Sequence, residues 1–130
     1  MPQIMKKVYL LFLLISFSSF AQKTFDNIKS EKLGEERRIT IGLPASYEAN
    51  KDKKYPVLYL LDGDYLFDPF SGAVSYGTYW DDIPEMIIIG IHQNKDEERY
   101  DDTTIDQNEG LPFEKGAKFF EFIGAELIPY

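Results

Sequence analysis

Residues 55–63 read Tyr-Pro-Val-Leu-Tyr-Leu-Leu-Asp-Gly, in which five consecutive apolar residues lead directly into a glycine turn. These five residues do not alternate with polar ones, so both faces of the strand that they predict must be covered. Residues 86–91 read Met-Ile-Ile-Ile-Gly-Ile and repeat the pattern. Such runs are typical of central strands in a parallel sheet with helices on both sides. The two runs therefore predict an α/β fold.

A β-hairpin is predicted upstream of these strands, with arms at residues 24–32 and 37–43 and a turn around Gly34. In the second arm, Ile39, Ile41 and Leu43 alternate with polar or small residues. A period of two indicates a strand that is buried on one face only. Pro44 ends this arm.

The connection between the two buried strands, residues 65–80, is long enough for a crossover. Pro69, Gly72 and Gly77 predict that any helix in it is short or broken. Residues 94–110 contain seven acidic side chains and no apolar periodicity, which predicts a long exposed loop. Loops of this length inside compact domains are often functional.

A helix is predicted at residues 114–128, ended by Pro129. Its expected apolar stripe has helical spacing and comprises Ala117, Phe120, Ile123, Gly124 and Leu127. In α/β folds such a helix packs onto the sheet and leads to a further parallel strand. The sequence ends two residues after this helix, so we expect residues 22–130 to be the first part of a longer α/β domain, truncated before its remaining strands.

The first 21 residues have the order of a signal peptide, in which Lys6 and Lys7 precede an apolar run and small residues lead to Ala21. A bilayer span needs about 20 largely apolar residues, and serines interrupt this run too early. We therefore expect cleavage after Ala21 and export to the periplasm or the medium. No membrane association is expected after cleavage.

The charge balance is acidic. The chain has 14 basic and 22 acidic side chains, and removal of Lys6 and Lys7 leaves 12 basic ones, a net charge of −10. Nucleic-acid binding is not expected, because it depends on Lys and Arg neutralising phosphates. The chain has no cysteine, which excludes disulfides and thiolate metal sites.

Four segments in order resemble the esterase D-like α/β hydrolases, a group that includes enterochelin-type siderophore esterases, feruloyl esterases and mycolyltransferases. They are Arg-Ile-Thr-Ile-Gly-Leu-Pro at 38–44, the run at 55–63, Glu-Met-Ile-Ile-Ile-Gly-Ile at 85–91, and the helix residues within 118–130. The resemblance spans essentially all of residues 22–130. It implies the N-terminal portion of an α/β-hydrolase fold, with an edge hairpin, two buried central strands, a crossover and a C-terminal helix.

The family's nucleophile is a serine in a Gly-x-Ser-x-Gly turn after a strand, and its acid and histidine follow later in the chain. This chain has no such motif. The nearest match, residues 73–77 around Ser75, has no predicted strand before it, so Ser75 is interpreted as a crossover serine. The resemblance therefore implies that no catalytic residue lies in this chain and that the triad follows Tyr130.

The resemblance does imply half of an oxyanion hole, in which the backbone N–H of Asp64 is the donor and Gly63 lets the turn approach closely. Backbone donors of this kind stabilise the charge that develops on the carbonyl oxygen during acyl transfer. Asp64 departs from the neutral residue that electrostatics favours here, so its carboxylate must point away from the oxyanion.

Three further residues are candidates for the substrate edge. His92 follows the second buried strand and is expected to line this edge or to make a structural hydrogen bond. Arg99 and Asp102, followed by Thr104, resemble the family's Arg-x-x-Asp-x-Thr-Pro segment. The alternative is a solvated loop with a local ion pair worth less than ~1 kcal/mol. The loop does not have the acidic spacing of an EF-hand, and no metal or cofactor is predicted.

The leading hypothesis is the N-terminal fragment of an exported serine carboxylesterase that acts on a small-molecule ester through an acyl-enzyme. The alternative is a non-catalytic secreted binding domain on the same scaffold, and a small acidic domain without a ligand is a third possibility. The sequence leaves the acyl group, the alcohol group and the oligomeric state open.

Overall fold

The computed structural model describes residues 22–130, which form a four-stranded mixed sheet in the order β1-β2-β4-β3. The strands are Lys23–Ser30 (β1), Glu35–Gly42 (β2), Val57–Leu60 (β3) and Ile87–Ile91 (β4). β1 and β2 form the predicted antiparallel hairpin, and β3 and β4 are parallel, as predicted. β2 joins the two halves by pairing antiparallel with β4, with Ile39 opposite Ile91. The signal-peptide prediction falls on residues 1–21, outside the described part.

The two apolar strands differ in position. β4 lies inside the sheet, between β2 and β3, as expected for a central strand. β3 instead forms an edge of the sheet made by the described residues, and its first residue, Val57, is 41% exposed. The continuous apolar run therefore identified β3 correctly as a parallel strand. It did not show whether β3 lies at the centre or at the edge of the sheet formed by residues 22–130.

The crossover is one continuous helix, α1, at Gly63–Tyr79, so the prediction of a short or broken helix was wrong. Pro69 removes one backbone hydrogen bond without ending the helix. Packing compensates for that loss, because the side chain of Phe67 is buried against Gly42 and Gly90. Gly77 is close to Ile83, and a Cβ there would come within 2.9 Å of that side chain.

The opposite face of the sheet is covered by α3, Lys115–Phe122, which continues as a π-helix at Ile123–Leu127. The predicted helix is thus confirmed in extent. Of its predicted stripe, Leu127 lies in the core and Ile123 packs against it, but Phe120 was wrong, since it is 68% exposed. The π-helix contains one more residue per turn than an α-helix, which brings Leu127 back to the face of Phe122. The main core comprises Ile28, Ile39, Ile91, Phe119, Phe122 and Leu127.

The acidic segment is not simply an exposed loop. It contains a short helix, α2, at Glu98–Asp102, and the side chains of Glu98 and Asp102 are buried. That part of the loop prediction was wrong, because burial of these acids is made possible by cationic partners on other elements. Within residues 22–130, none of the helices has the length and apolar character needed to cross a membrane.

Candidate functional site

The turn after β3 lies at the carboxyl end of the two parallel strands, where ligands bind in open α/β sheets. Asp62 has a left-handed backbone, with φ 55° and ψ 39°, which costs about 1–2 kcal/mol for a residue other than glycine. Its buried carboxylate accepts hydrogen bonds from Gln93 Nε2 at 2.7 Å and from the Arg99 guanidinium at 2.8 Å. The segment after β4 therefore holds this turn in place.

Gly63 is required at the start of α1 because its backbone lies directly against Gly90 of β4. A Cβ on Gly63 would lie 2.4 Å from the Gly90 carbonyl carbon. The close approach expected of Gly63 is thus made to the neighbouring strand, and it brings the first turn of the helix to the sheet edge. This contact explains why Gly63 follows the first apolar run and Gly90 lies within the second.

The first backbone N–H groups of α1 are the candidate donors. Those of Tyr65 and Leu66 bond to the Asp62 carbonyl at 3.2 and 2.9 Å. Those of Gly63 and Asp64 have no hydrogen-bond acceptor within residues 22–130. The first N–H groups of a helix have no intrahelical partner, and the helix dipole makes this end favourable to negative charge. The side chain of Asp64 is exposed.

A buried charge network, which the sequence analysis missed, anchors α2 to the hairpin. Arg37 of β2 is 1% exposed and contacts Asp102 at 2.6 Å, Glu35 at 2.5 Å and Glu98 at 3.5 Å. Lys115 at the start of α3 lies 2.6 Å from Glu98 and 3.6 Å from Asp102. Both β2 and α3 are therefore tied to α2, the helix that carries Arg99.

The pKa values in this network favour its ionised form. Burial alone would raise the pKa of Glu98, but hydrogen bonds from Lys115 and the Asn94 N–H, together with the charge of Arg37, hold it below the ordinary value. Burial alone would lower the pKa of Lys115, and its contacts with Glu98 and Asp102 raise it instead. Glu98 and Lys115 consequently stay charged at neutral pH.

The signal that could have identified Arg37 is its position in the strand. It alternates with Ile39 and Ile41, so it shares their buried face. A charged side chain on an apolar face must find buried partners, since desolvation of an unpaired charge is very costly. The pattern would have indicated a buried ion pair, although not which acids form it.

His92 makes a structural link between β4 and β2. Its Nε2 lies 2.6 Å from the hydroxyl of Thr40, and its backbone N–H donates to the carbonyl of Arg38 at 3.0 Å. Burial, followed by the positive charge of Arg38, lowers the pKa of the imidazole, which is therefore neutral at pH 7. Of the two interpretations of His92, these contacts correspond to structural hydrogen bonding.

The substrate-edge candidates His92, Arg99 and Asp102 do come together, and with Asp62 they surround a cavity of only about 10 Å³. A cavity of that size holds at most one water molecule. Asp102 is 5% exposed and bonded to Arg37, so it does not face a substrate. The local ion pair between Arg99 and Asp102 was also wrong, because their partners are Asp62 and Arg37, which are distant in sequence.

An open cleft of about 310 Å³ lies beside the turn, between the start of α1 and the segment after β4. Asp64 and Tyr65 line one side, and residues 93–97 line the other. This cleft adjoins Asp64, one of the two residues with an unbonded N–H group, and can admit a small organic group. Within the described part of the chain, no three His, Asp or Glu side chains are arranged to hold a metal ion.

Ser75 lies in the interior of α1, about one turn from its end at Tyr79. A nucleophile in a Gly-x-Ser-x-Gly motif requires a sharp strand-to-helix turn. Ser75 lies inside a helix and not at such a turn, which agrees with its interpretation as a crossover serine.

Comparison with known proteins identifies the family. The sequence profile of the family described as "Putative esterase" matches residues 30–130, most of the chain. No curated protein matches the sequence.

Several solved structures share the fold. An uncharacterised protein from Capnocytophaga ochracea DSM 7271 is 29% identical, with a TM-score of 0.72 over 84% of this chain and 29% of that chain. An IroE-like serine hydrolase from Shewanella oneidensis is also 29% identical, with a TM-score of 0.67 over 83% and 37%. A ferulic acid esterase is 26% identical, with a TM-score of 0.64 over 86% and 42%. The chain spans less than half the length of each of these structures. Because the family profile matches residues 30–130, this chain belongs to that esterase family, and its fold is the N-terminal portion of an α/β-hydrolase esterase.

Proposed function

We propose that this chain supplies the N-terminal part of a serine carboxylesterase that works through an acyl-enzyme, with the serine, the acid and the histidine contributed by sequence beyond Tyr130. The observation that carries this proposal is the turn at Asp62–Asp64. It presents two unbonded backbone N–H groups at the carboxyl end of the sheet, in a chain that belongs to an esterase family.

The N–H of Asp64 acts in this proposal as one donor of the oxyanion hole. Removing a single donor of this kind costs roughly 2.7–4 kcal/mol of transition-state stabilisation. The exposed carboxylate of Asp64 stays in water, where its repulsion of a developing oxyanion is strongly screened. The ester substrate lies in the adjoining cleft of about 310 Å³.

Asp62, Gln93 and Arg99 are positioning residues in this mechanism. Gln93 Nε2 and the Arg99 guanidinium donate to the Asp62 carboxylate, and these contacts stabilise a backbone conformation that is unfavourable by itself. Arg37 acts one step further away, because it anchors the helix on which Arg99 lies.

The substrate is proposed to be a small-molecule carboxylic ester. One of the similar structures is a ferulic acid esterase, and another is a serine hydrolase. No cofactor is needed for this chemistry, because the charge changes are handled by a serine, a base and backbone donors.

Hydrolysis of p-nitrophenyl acetate tests whether the catalytic residues lie beyond Tyr130. Residues 22–130 should hydrolyse it no faster than a control protein. A longer polypeptide that continues through a downstream Gly-x-Ser-x-Gly and later Asp and His residues should turn it over. Ser75→Ala and His92→Ala should leave that turnover largely unchanged. Turnover by residues 22–130 that Ser75→Ala abolishes would show that the nucleophile lies in this chain after all.

The positioning role is tested in the longer polypeptide. Arg99→Gln should lower kcat roughly tenfold with little change in KM, since small misplacements of catalytic groups have effects of this size or larger. Lys51→Gln, at an exposed cation that pairs with Glu48 and does not line the cleft, is the control and should have no effect. Equal effects of the two changes would contradict the role of Arg99.

We also propose that residues 1–21 direct export and are removed. Mass spectrometry of the exported protein should then show an N-terminus at Gln22. Recovery of the intact Met1 form from the cytoplasm would contradict this proposal.

A further inference from the structure

The cleft between the start of α1 and the segment after β4 has an uneven distribution of charge. Its walls carry the exposed carboxylates of Asp64, Asp96 and Glu97 and one ammonium group, that of Lys95. The pocket of about 290 Å³ under the C-terminal half of α1, at the opposite end of β4, has neutral walls apart from Glu85. The excess of negative charge is therefore a local property of the proposed ester site.

The cations near this cleft are already paired. Lys95 contacts Asp101 at 3.1 Å, and the Arg99 guanidinium contacts Asp62 at 2.8 Å. The three wall carboxylates make no ion pair with a cationic side chain of residues 22–130. A positively charged group that enters the cleft therefore meets carboxylates whose charge is not offset, whereas an anionic group is repelled.

Tyr65 adds an aromatic surface to the same cleft. Its side chain is 57% exposed and lines the wall beside Asp64. Interaction of its hydroxyl with the buried carboxylate of Asp62 raises the pKa of the phenol, so the side chain is neutral at pH 7 and its polar end is held at the turn. The face of an aromatic ring attracts cations, and quaternary ammonium groups are commonly bound in this way. The ring and the carboxylates therefore favour the same charge.

A cation on the substrate also removes an electrostatic disadvantage of the cleft. In the proposed reaction the oxyanion develops at the N–H of Asp64, and negative side chains around it oppose the charge that forms there. A positive group of the substrate that lies among these carboxylates offsets their field without any further protein cation. A neutral ester lacks this compensation, and an anionic ester adds to the repulsion.

We propose that this cleft selects esters whose acyl or alcohol part carries a positive charge, such as a quaternary ammonium group, with Asp96, Glu97 and the ring of Tyr65 as the groups that determine specificity. This inference rests on the proposed esterase function and adds to it the charge of the substrate. Anionic esters are correspondingly poor substrates.

Three small alcohols that differ in charge test this selectivity as competitive inhibitors of p-nitrophenyl acetate hydrolysis by the longer polypeptide. Choline is cationic, 3,3-dimethylbutan-1-ol is its neutral isostere, and 2-hydroxyethanesulfonate is anionic. Choline should inhibit roughly 5- to 20-fold more tightly than the neutral alcohol, and the sulfonate should inhibit least. Raising the ionic strength from about 20 to about 200 mM should weaken inhibition by choline and leave that by the neutral alcohol unchanged.

Removal of two charges from the cleft identifies the groups responsible. The double change Asp96→Asn and Glu97→Gln should weaken inhibition by choline roughly 5-fold, while inhibition by the neutral alcohol and the turnover of p-nitrophenyl acetate stay within about twofold. Asp81→Asn with Asp82→Asn is the matched control, because these two acids are also adjacent and exposed and they follow the far end of α1. Asp81 has φ 58° and Glu97 has φ 63°, so the backbone is also matched. The control should leave all three inhibition constants unchanged.

The ring of Tyr65 is tested separately. Tyr65→Leu should weaken inhibition by choline roughly 3-fold relative to the neutral alcohol, since leucine keeps apolar surface but has no π-face, whereas Tyr65→Phe should retain the preference. The inference is overturned if choline inhibits no more tightly than its neutral isostere, or if the cleft variant and the control variant have the same effect. An absence of p-nitrophenyl acetate turnover in the longer polypeptide would contradict the proposed function itself, and this inference with it.

Discussion

At the carboxyl end of β4, backbone atoms of Gly63 and Gly90 are in direct contact and buried charges are paired across three elements, whereas at its amino end small neutral side chains leave a pocket. The first end is held by directional contacts that fix the position of a turn. The second is shaped by the absence of bulk on one stripe of α1. The comparison shows how one sheet combines a rigid edge with an open space.

The largest expected effect comes from breaking the charge network. Arg37→Met leaves the buried carboxylate of Asp102 without its main counter-charge and removes one of the two cations beside Glu98, so it should lower the free energy of unfolding by about 3–5 kcal/mol. Arg38→Met is the matched control, because Arg38 is exposed on the other face of the same strand, and it should cost less than about 1 kcal/mol. Urea unfolding measures both, and equal losses would refute the structural importance of the network.

The glycine contact gives the next largest effect. Gly63→Ala places a Cβ within 2.4 Å of Gly90 backbone, and overpacking of this kind costs about 1–3 kcal/mol. Gly72→Ala in the same helix meets no atom within 4 Å and should stabilise the protein by about 0.5–1 kcal/mol. Opposite signs in thermal unfolding are the expected result. Two stabilising changes would mean that α1 does not need its close approach to β4.

Lowering the pH should destabilise the folded protein by protonating Glu98 in the buried charge network. Its pKa is lower in the folded protein than the unfolded value of about 4.3, so its stabilising contribution is complete above that value and is lost as pH falls through the folded pKa. Melting temperatures between pH 7 and pH 3 should therefore fall less steeply for Glu98→Gln than for wild type. Glu97→Gln, at an exposed neighbour, should keep the wild-type slope. An unchanged slope for Glu98→Gln would exclude this contribution.

The smallest effect is expected at the amino end. Thr78→Val replaces a buried, unsatisfied hydroxyl by a methyl group of similar size, and stability should stay unchanged or rise by up to about 1 kcal/mol. Thr103→Val removes a hydroxyl that donates to the Arg99 carbonyl at 2.7 Å and should be mildly destabilising. A clear loss of stability from Thr78→Val would mean that this hydroxyl is satisfied in solution.

Local patterns were sufficient for the strands and the turn. The alternation at Ile39 and Ile41 identified the hairpin, and the runs that end at Leu60 and Ile91 identified the parallel pair and the edge where the site lies. Each of these features depends on a period of two or on its absence, which can be seen within a few residues.

Features that depend on distant contacts were not predictable in this way. Pro69 was expected to break a helix that the packing of Phe67 maintains, and Asp102 was assigned to the substrate edge although Arg37, 65 residues away, binds it. The choice between Phe119 and Phe120 as the buried aromatic depended on the π-helix that follows. Two of the seven acids in residues 94–110, Glu98 and Asp102, are buried. The sequence could not show this, because the presence of an acid does not indicate whether it has a buried cationic partner.

Because Ile123–Leu127 form a π-helix, deleting a residue there should disturb the packing of the last helix more than substituting one. Gly124 has open space around it, so a substitution there meets no obstacle. A deletion of Gly124 would restore regular α-helical phase and turn the following residues by about 100°. Leu127 would then leave the core, and the carboxylate of Glu126 would lose the Glu31 and Lys32 N–H groups of the hairpin turn. One residue of chain length thus couples the end of the last helix to the first turn of the sheet.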